Sequence, residues 1–333
     1  MRTRHVRSTA LLATGLTLVL AAGCSSGGGA AHAASVEKPD LTVAVVPAVD
    51  SAGFFVALHD GLFRAQGLNV RFVPAISSET VIADQVSGEY DITGGNYVSY
   101  IQAQQDHEAD LDIFAEGSVL QPGAMGIYTM PGSPVKTLGD LKGRTVAINA
   151  PRNIMYLLAA SVLAEHGIPP AKVRFVVAKD GFPAMPAELK ADAFDAAAFA
   201  EPFGSVAAQA DGAVPLADLD QGATTSFPVL GYVVTKQWAR KYPRTLAAFY
   251  AALEQGQEIA DTDRAAVEAA FAALPGPLAL PRTTAAVMCL ESYPVSSGQV
   301  GSVDTVRLQR VVDVMQQFIG FPPFNIDSML MRG

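Results

Sequence analysis

The chain has 333 residues, of which 50% are apolar and 17% charged, with a mean hydropathy of +0.26. That is ample material for a large core, it excludes disorder as the main state, and at about 150 residues per domain it suggests roughly two domains. Lysine and arginine number 23 against 32 aspartates and glutamates, a net charge of −9, with no basic cluster beyond Arg240-Lys241 and Lys142-Gly-Arg144. Nucleic acid is therefore not an expected partner, and the 2 cysteines, Cys24 and Cys289, exclude a disulfide scaffold and a cysteine-based zinc site.

The amino terminus reads as a targeting segment. Arg2, Arg4 and Arg7 precede an uncharged run of 15 residues, Ser8 to Ala22, which is short for a membrane-spanning helix. The run ends at Leu20-Ala-Ala-Gly-Cys24 and resembles the lipobox of bacterial lipoproteins, which implies cleavage before Cys24 and lipidation of that residue. The alternative is a secretory peptide cleaved at Ala31-His-Ala-Ala34. Loss of residues 1–23 removes three arginines and takes the charge from −9 to −12. Residues 24–39, rich in glycine, serine and alanine, are expected to form a flexible tether.

From Leu41 onward β-branched runs alternate with helical patterns, the signature of parallel α/β layers. Expected strands are 41–46, 69–73, 90–93, 111–115, 145–148, 173–177, 196–199 and 230–235, and 126–130 opens a different region. Expected helices are 52–66, 78–87, 97–105, 153–166, 183–190 and 202–210. After 235 only helices are expected, at 236–240, 243–262, 264–274, 285–289 and 302–319. Such a series does not make a barrel; it suits two lobes, with the chain crossing between them near 119–127 and 225–232. The lobes then comprise 40–122 plus 230–333, and 123–229.

Five motifs, in order, resemble the solute-binding proteins of ABC importers that carry nitrate, taurine, sulfonates and thiamine-pyrimidine precursors. They are Ala52 to Val70, Gly88-Glu-Tyr-Asp-Ile-Thr-Gly-Gly95, Leu138-Gly-Asp-Leu-Lys-Gly-Arg-Thr-Val146, Phe194 to Phe203 and Gly231 to Pro243. The resemblance implies a type II periplasmic-binding-protein fold, two α/β lobes around a central cleft joined by a two-crossing hinge. It further implies a lipid-anchored, extracytoplasmic component that captures a small organic solute of sulfonate, zwitterionic or heteroaromatic (pyrimidine) type and passes it to a membrane permease driven by a separate ATPase. The chain is expected to act as a monomer without a cofactor. Two alternatives stay open: a secreted enzyme on the same fold, and a sensory lipoprotein that binds solute without feeding a transporter.

Open α/β sheets bind ligands beyond the carboxyl ends of their strands, beside helix amino termini. On that rule the candidate ligand residues are Ser51, Gly53, Phe54, Gly95, Asn96, Tyr97, Ser118, Arg152, Asn153 and Glu201. Asn96 and Asn153 can both donate and accept, Phe54 and Tyr97 could form aromatic walls or equally pack into the core, and Arg152 and Glu201 could read opposite ends of the solute, from which nitrate and sulfate are excluded. The same loops carry Asp50 and Glu116, which disfavour an anion. Glu201 has a plainer alternative as a helix cap, Gly61 and Gly67 as helix stops, and Asp140 as a turn cap. No catalytic residues are expected. The motif Ser133-Pro-Val-Lys136 has a proline that breaks the helix S-x-x-K needs, and no nucleophile elbow, P-loop or H-E-x-x-H is present. The histidines lack partners at metal-ligand spacing.

Overall fold

The β-branched run Asp40–Val45 forms β1, and the 3-10 turn Val49–Ser51 leads from it into α1 (Ala52–His59). This is a computed structural model, and it describes residues 36–280 and 303–331. The expected lipid site Cys24, the signal segment, most of the tether and the expected helix 285–289 lie outside the described residues. The expected helix 52–66 is in fact two. Gly61 takes a left-handed φ of +75°, which ends α1 and starts α2 (Leu62–Ala65). Next come β2 (Asn69–Pro74), α3 (Ser78–Ser87), β3 (Ile92–Asn96), α4 (Tyr97–Gln105) and β4 (Leu111–Val119).

The chain then enters a second sheet through β5 (Met125–Thr129), followed by β6 (Thr145–Ile148), α5 (Ile154–Glu165) and β7 (Arg174–Val177). After α6 (Met185–Lys190) come β8 (Ala196–Ala200), α7 (Phe203–Asp211) and β9 (Val214–Asp218). It returns through β10 (Pro228–Thr235) and closes with α8 (Lys236–Lys241), α9 (Pro243–Thr262), α10 (Arg264–Ala272) and α11 (Thr305–Ile319).

The first sheet has the order β2-β1-β3-β10-β4 and the second β7-β6-β8-β5-β9. Neither is wholly parallel, which corrects the sequence expectation. β1, β2 and β3 run parallel and β10 lies antiparallel between β3 and β4. Likewise β6, β7 and β8 are parallel, and β5 lies antiparallel between β8 and β9. In each sheet the reversed strand is the one by which the chain arrives from the other, so the two crossings create the antiparallel pairs. Periodicity reports burial, not direction, and could not have shown this. The strand β9 was not expected either: Pro215 sits within it, and it lies at the sheet edge, where a missing N–H is tolerated.

Helices cover the sheets with apolar faces. α1 is buried along almost its whole length and meets α9 closely; a Cβ on Gly256 would lie 2.3 Å from the Gly53 carbonyl oxygen. Phe54, Phe55, Phe63, Phe72 and Tyr232 form one aromatic cluster in this core. α11 is capped by Asp304, whose Oδ1 accepts the Arg307 N–H at 3.0 Å, and packs against both α4 and α5. Its Arg307 pairs with the buried Glu116 of β4, and the Asp304 N–H donates to the same carboxylate at 2.6 Å. Burial raises the Glu116 pKa, opposed by the Asp304 N–H and by Arg307. Asp140 does cap its turn: the Thr137 N–H donates to its Oδ2 at 2.8 Å.

Candidate functional site

The facing carboxyl ends of the two sheets enclose a cavity. The first half lines it with Val46, Ala48, Asp50, Ser78, Gly95 and Asn96, together with Leu230 from β10. The second half contributes Asn149, Asn153, Phe182 and Ala200, with Met125, Ile154 and Met155. The space between these atoms is about 350 Å³, of which about 20 Å³ is open to the centre of a water molecule; on the usual allowance that is room for one or two waters. The halves are therefore drawn together. The Val49 N–H donates to the Glu201 carbonyl at 2.8 Å, and the Gln102 side-chain amide to the Arg152 carbonyl at 2.7 Å. Arg310 of α11 reaches the Ala223 and Thr225 carbonyls at 2.9 and 2.6 Å.

Helix starts organise the polar lining. Asn96 caps α4, its Oδ1 accepting the Ser99 N–H at 2.9 Å while its Nδ2 donates to the Ser78 hydroxyl at 2.9 Å. Asn153 caps α5 in the same way: its Oδ1 accepts the Tyr156 N–H at 3.3 Å, and its Nδ2 donates to Asn149 Oδ1 at 2.7 Å. A Cβ on Gly95 would lie 2.3 Å from the Ser78 hydroxyl, so only glycine allows Ser78 to reach Asn96.

Among the described residues, Asp50 is the one ionisable side chain in the lining. It is buried, and its Oδ1 has no hydrogen-bond partner among the described residues. Burial pushes its carboxyl from 3.8 up to about 7, against the lowering effect of its own N–H and of the Ser51 N–H and hydroxyl. The titratable Tyr232 beside it is itself buried, and its own pKa is raised well above 10.0 by burial and by Asp50.

Of the candidate residues from the sequence, Gly95, Asn96 and Asn153 lie in this lining, and the others lie outside it. Phe54 faces the aromatic core, because α1 is apolar all round and buries each ring it carries. Gly53 packs on α9, where a Cβ would lie 2.4 Å from Gln257 Cγ. Tyr97 lies beneath the sheet with its ring against Gly231, so neither aromatic wall forms; the aromatic in the lining is Phe182, stacked on Phe203 at 5.4 Å. Ser51 donates to the Val46 carbonyl at 3.0 Å and closes the turn after β1. Ser118 is buried in β4. Arg152 has a left-handed backbone, φ +53°, and its side chain is exposed, where a guanidinium stays hydrated. Glu201 is committed locally: its Oε2 accepts the Ser205 N–H at 3.2 Å in the first turn of α7, and burial raises its pKa.

The sequence reading places Asp50 in a cleft loop without naming it a contact, and does not name Ser78, Asn149, Met155 or Phe182 as one. Asp50, Ser78, Asn149 and Phe182 each follow a strand by one to five residues, β1, β2, β6 and β7 respectively. The rule of strand carboxyl ends, applied to every parallel strand, would have found them.

A family model described as NMT1/THI5 like matches residues 48–264, about two thirds of the chain. The chain belongs to the NMT1/THI5-like family. Its fold is that of the periplasmic binding proteins. The alkanesulfonate-binding protein SsuA from Xanthomonas axonopodis pv. citri, bound to MOPS, is similar at TM-score 0.72 and 20% identity, over 88% of this chain and 99% of that one. The periplasmic aliphatic sulphonate-binding protein SsuA from Escherichia coli is similar at 0.68 and 19%, over 88% and 92%. The nitrate-binding protein NrtA from Synechocystis gives 0.64 and 15%, over 75% and 69%. No curated protein sequence matches this chain.

Proposed function

We propose that the protein is the extracytoplasmic solute-binding component of an ABC importer, anchored through a lipid on Cys24, and not an enzyme. The single observation that carries this reading is the cavity between the two sheets, in which paired asparagine caps and a buried carboxyl stand among apolar side chains. Fold likeness to sulfonate- and nitrate-binding proteins supports it. With about 20 Å³ open to a water centre, the present arrangement is the closed one. A solute of several heavy atoms requires the halves, 40–122 plus 230–333 and 123–229, to part about the two crossings and shut again. A permease and its separate ATPase would then take the loaded, closed form, and transport energy would come from that ATPase. Gly95, Asn96 and Asn153 are proposed solute contacts, together with Asp50, Ser78 and Asn149.

The test is to purify the protein from native cells and identify by mass spectrometry any small molecule released on denaturation. That solute, added back to stripped protein, should raise the melting temperature and shrink the radius of gyration. Protein that carries no small molecule, and that neither compacts nor stabilises with any fraction of a metabolite extract, would overturn the reading. For the anchor, Cys24→Ser should move the protein from the membrane to the aqueous fraction, and unchanged partitioning would remove that part alone.

A further inference from the structure

The charge of the solute is written in the lining. Asp50 Oδ1 is buried without a hydrogen-bond partner among the described residues. Among the described residues, no lysine, arginine or histidine lines the cavity to compensate it. Opposite lies Asn149, whose Oδ1 is taken by Asn153 while its amide nitrogen donates to nothing among the described residues. The Ser78 hydroxyl accepts from both the Asn96 N–H and the Asn96 amide, at 2.9 Å each, and keeps its own proton to donate. The polar part of the lining thus offers an acceptor in need of N–H groups on one side and neutral amide and hydroxyl donors elsewhere, set among apolar side chains such as Met125, Met155 and Phe182.

Resting on the solute-binding reading above, we propose that the bound solute is an organic cation with at least two N–H donors on its charged end, which pairs with Asp50, and an acceptor that takes the Asn149 amide. An anionic solute would meet a carboxyl with no cation to offset it, in a chain whose net charge is −9. The neighbours that bind sulfonate and nitrate share the fold at 15–20% identity, too little to carry their ligands across. A carboxylate beside carboxamides, with no second Asp, Glu, His or Cys in the lining among the described residues, also suits an organic cation better than a metal ion. Burial has already raised the Asp50 carboxyl towards neutral pH, and a buried cation with N–H donors would relieve that cost.

The experiment compares isosteres. Acetamidinium, acetamide and acetate have one shape and three charges, as do benzamidinium, benzamide and benzoate; methanesulfonate and nitrate are added. Calorimetry at pH 8 on stripped protein should find an amidinium the tightest of its trio, by roughly tenfold over the amide. Asp50→Asn should remove that preference while binding the amide within about threefold of wild type, and Asn149→Ala should leave the preference intact. Thermal melting of each variant establishes that it is folded. Carboxylate, sulfonate or nitrate binding as tightly as the amidinium overturns the inference, as does a preference that survives Asp50→Asn or the failure of every amidinium to bind. A copurified solute without a cationic nitrogen overturns it too, yet leaves the solute-binding reading standing. Failure of every probe, with no solute released from native protein, removes that reading itself.

Discussion

Each half of the protein opens a helix at the cavity with an asparagine. Asn96 caps α4 and hands its amide to Ser78; Asn153 caps α5 and hands its amide to Asn149. The two sheets match as well, three parallel strands followed by one reversed strand and an edge. They differ in one group. Among the described residues, only the first half brings an ionisable side chain into the lining, Asp50, on the 3-10 turn after β1. Equivalent scaffolds thus supply equivalent neutral hydrogen bonding, and the asymmetry of charge gives the cavity a direction along which a solute with two unlike ends would lie.

The sharpest way to break the comparison is to titrate the group that creates it. The Asp50 pKa is raised on folding, from 3.8 to about 7, so between those values the folded state holds a proton that the unfolded chain has released. Stability from this group is complete below pH 4, falls as pH rises through that window and is flat above it, a loss of up to about 4 kcal/mol. Other carboxyls shift the opposite way, such as Glu37, lowered to about 2, so the signal is the difference between wild type and Asp50→Asn. Denaturant unfolding from pH 4 to 8 should show Asp50→Asn gaining on wild type across the window. A constant difference would mean that the carboxyl is solvated.

The next effect concerns the helix that spans both halves. Arg307→Met leaves Glu116 buried without its cation, and about 3 kcal/mol of stability should be lost. Glu116→Gln in the same chain should recover most of it, because a neutral amide needs no counter-charge. Urea midpoints of the two single variants and the double variant check this, and additive losses would show that the pair is not coupled.

Smaller again is the effect of the caps themselves. Asn96→Ala and Asn153→Ala should each cost about 1 kcal/mol by thermal unfolding, since each removes one N-cap. Similar losses in stability, with a larger loss of solute affinity for whichever cap holds the solute's neutral end, would separate the structural from the binding role.

Much of this architecture was legible in the chain. The helices 78–87, 97–105 and 243–262 fall where periodicity places them, because each has an apolar stripe bounded by a cap or stop residue. Strand direction and β9 were not legible, since periodicity carries no direction and Pro215 masks an edge strand. At the cavity, Gly95, Asn96 and Asn153 were found through their position after strands. For Phe54 and Tyr97 the sequence leaves cleft wall and core packing open, because a loop-adjacent aromatic can turn to either side of its helix start, and here both turn to the core. In the sequence Asp50, with Glu116 and Glu201, weighs against an anion and for a cationic or zwitterionic solute. The worth of Asp50 as a contact follows from burial and the unpartnered oxygen, which only the fold supplies.

The smallest expected effect separates the sequence reading from the structure. Arg152 was the candidate for an acid group on the solute, yet its side chain is exposed and its backbone is left-handed at φ +53°. A non-glycine residue there carries about 1 kcal/mol or more of strain, which glycine would relieve. Glycine also gives the unfolded chain about as much freedom to lose, so the two effects nearly cancel. Arg152→Gly should therefore keep stability within about 1 kcal/mol of wild type. The Gln102 amide donates to the Arg152 backbone carbonyl, not to its side chain, so that bridge between the halves should survive. If the cavity reads charge through Asp50 alone, the variant binds the native solute within about twofold of wild type. A tenfold loss, by calorimetry at physiological salt, would return Arg152 to the cavity and mean that its side chain turns inward when a solute occupies it.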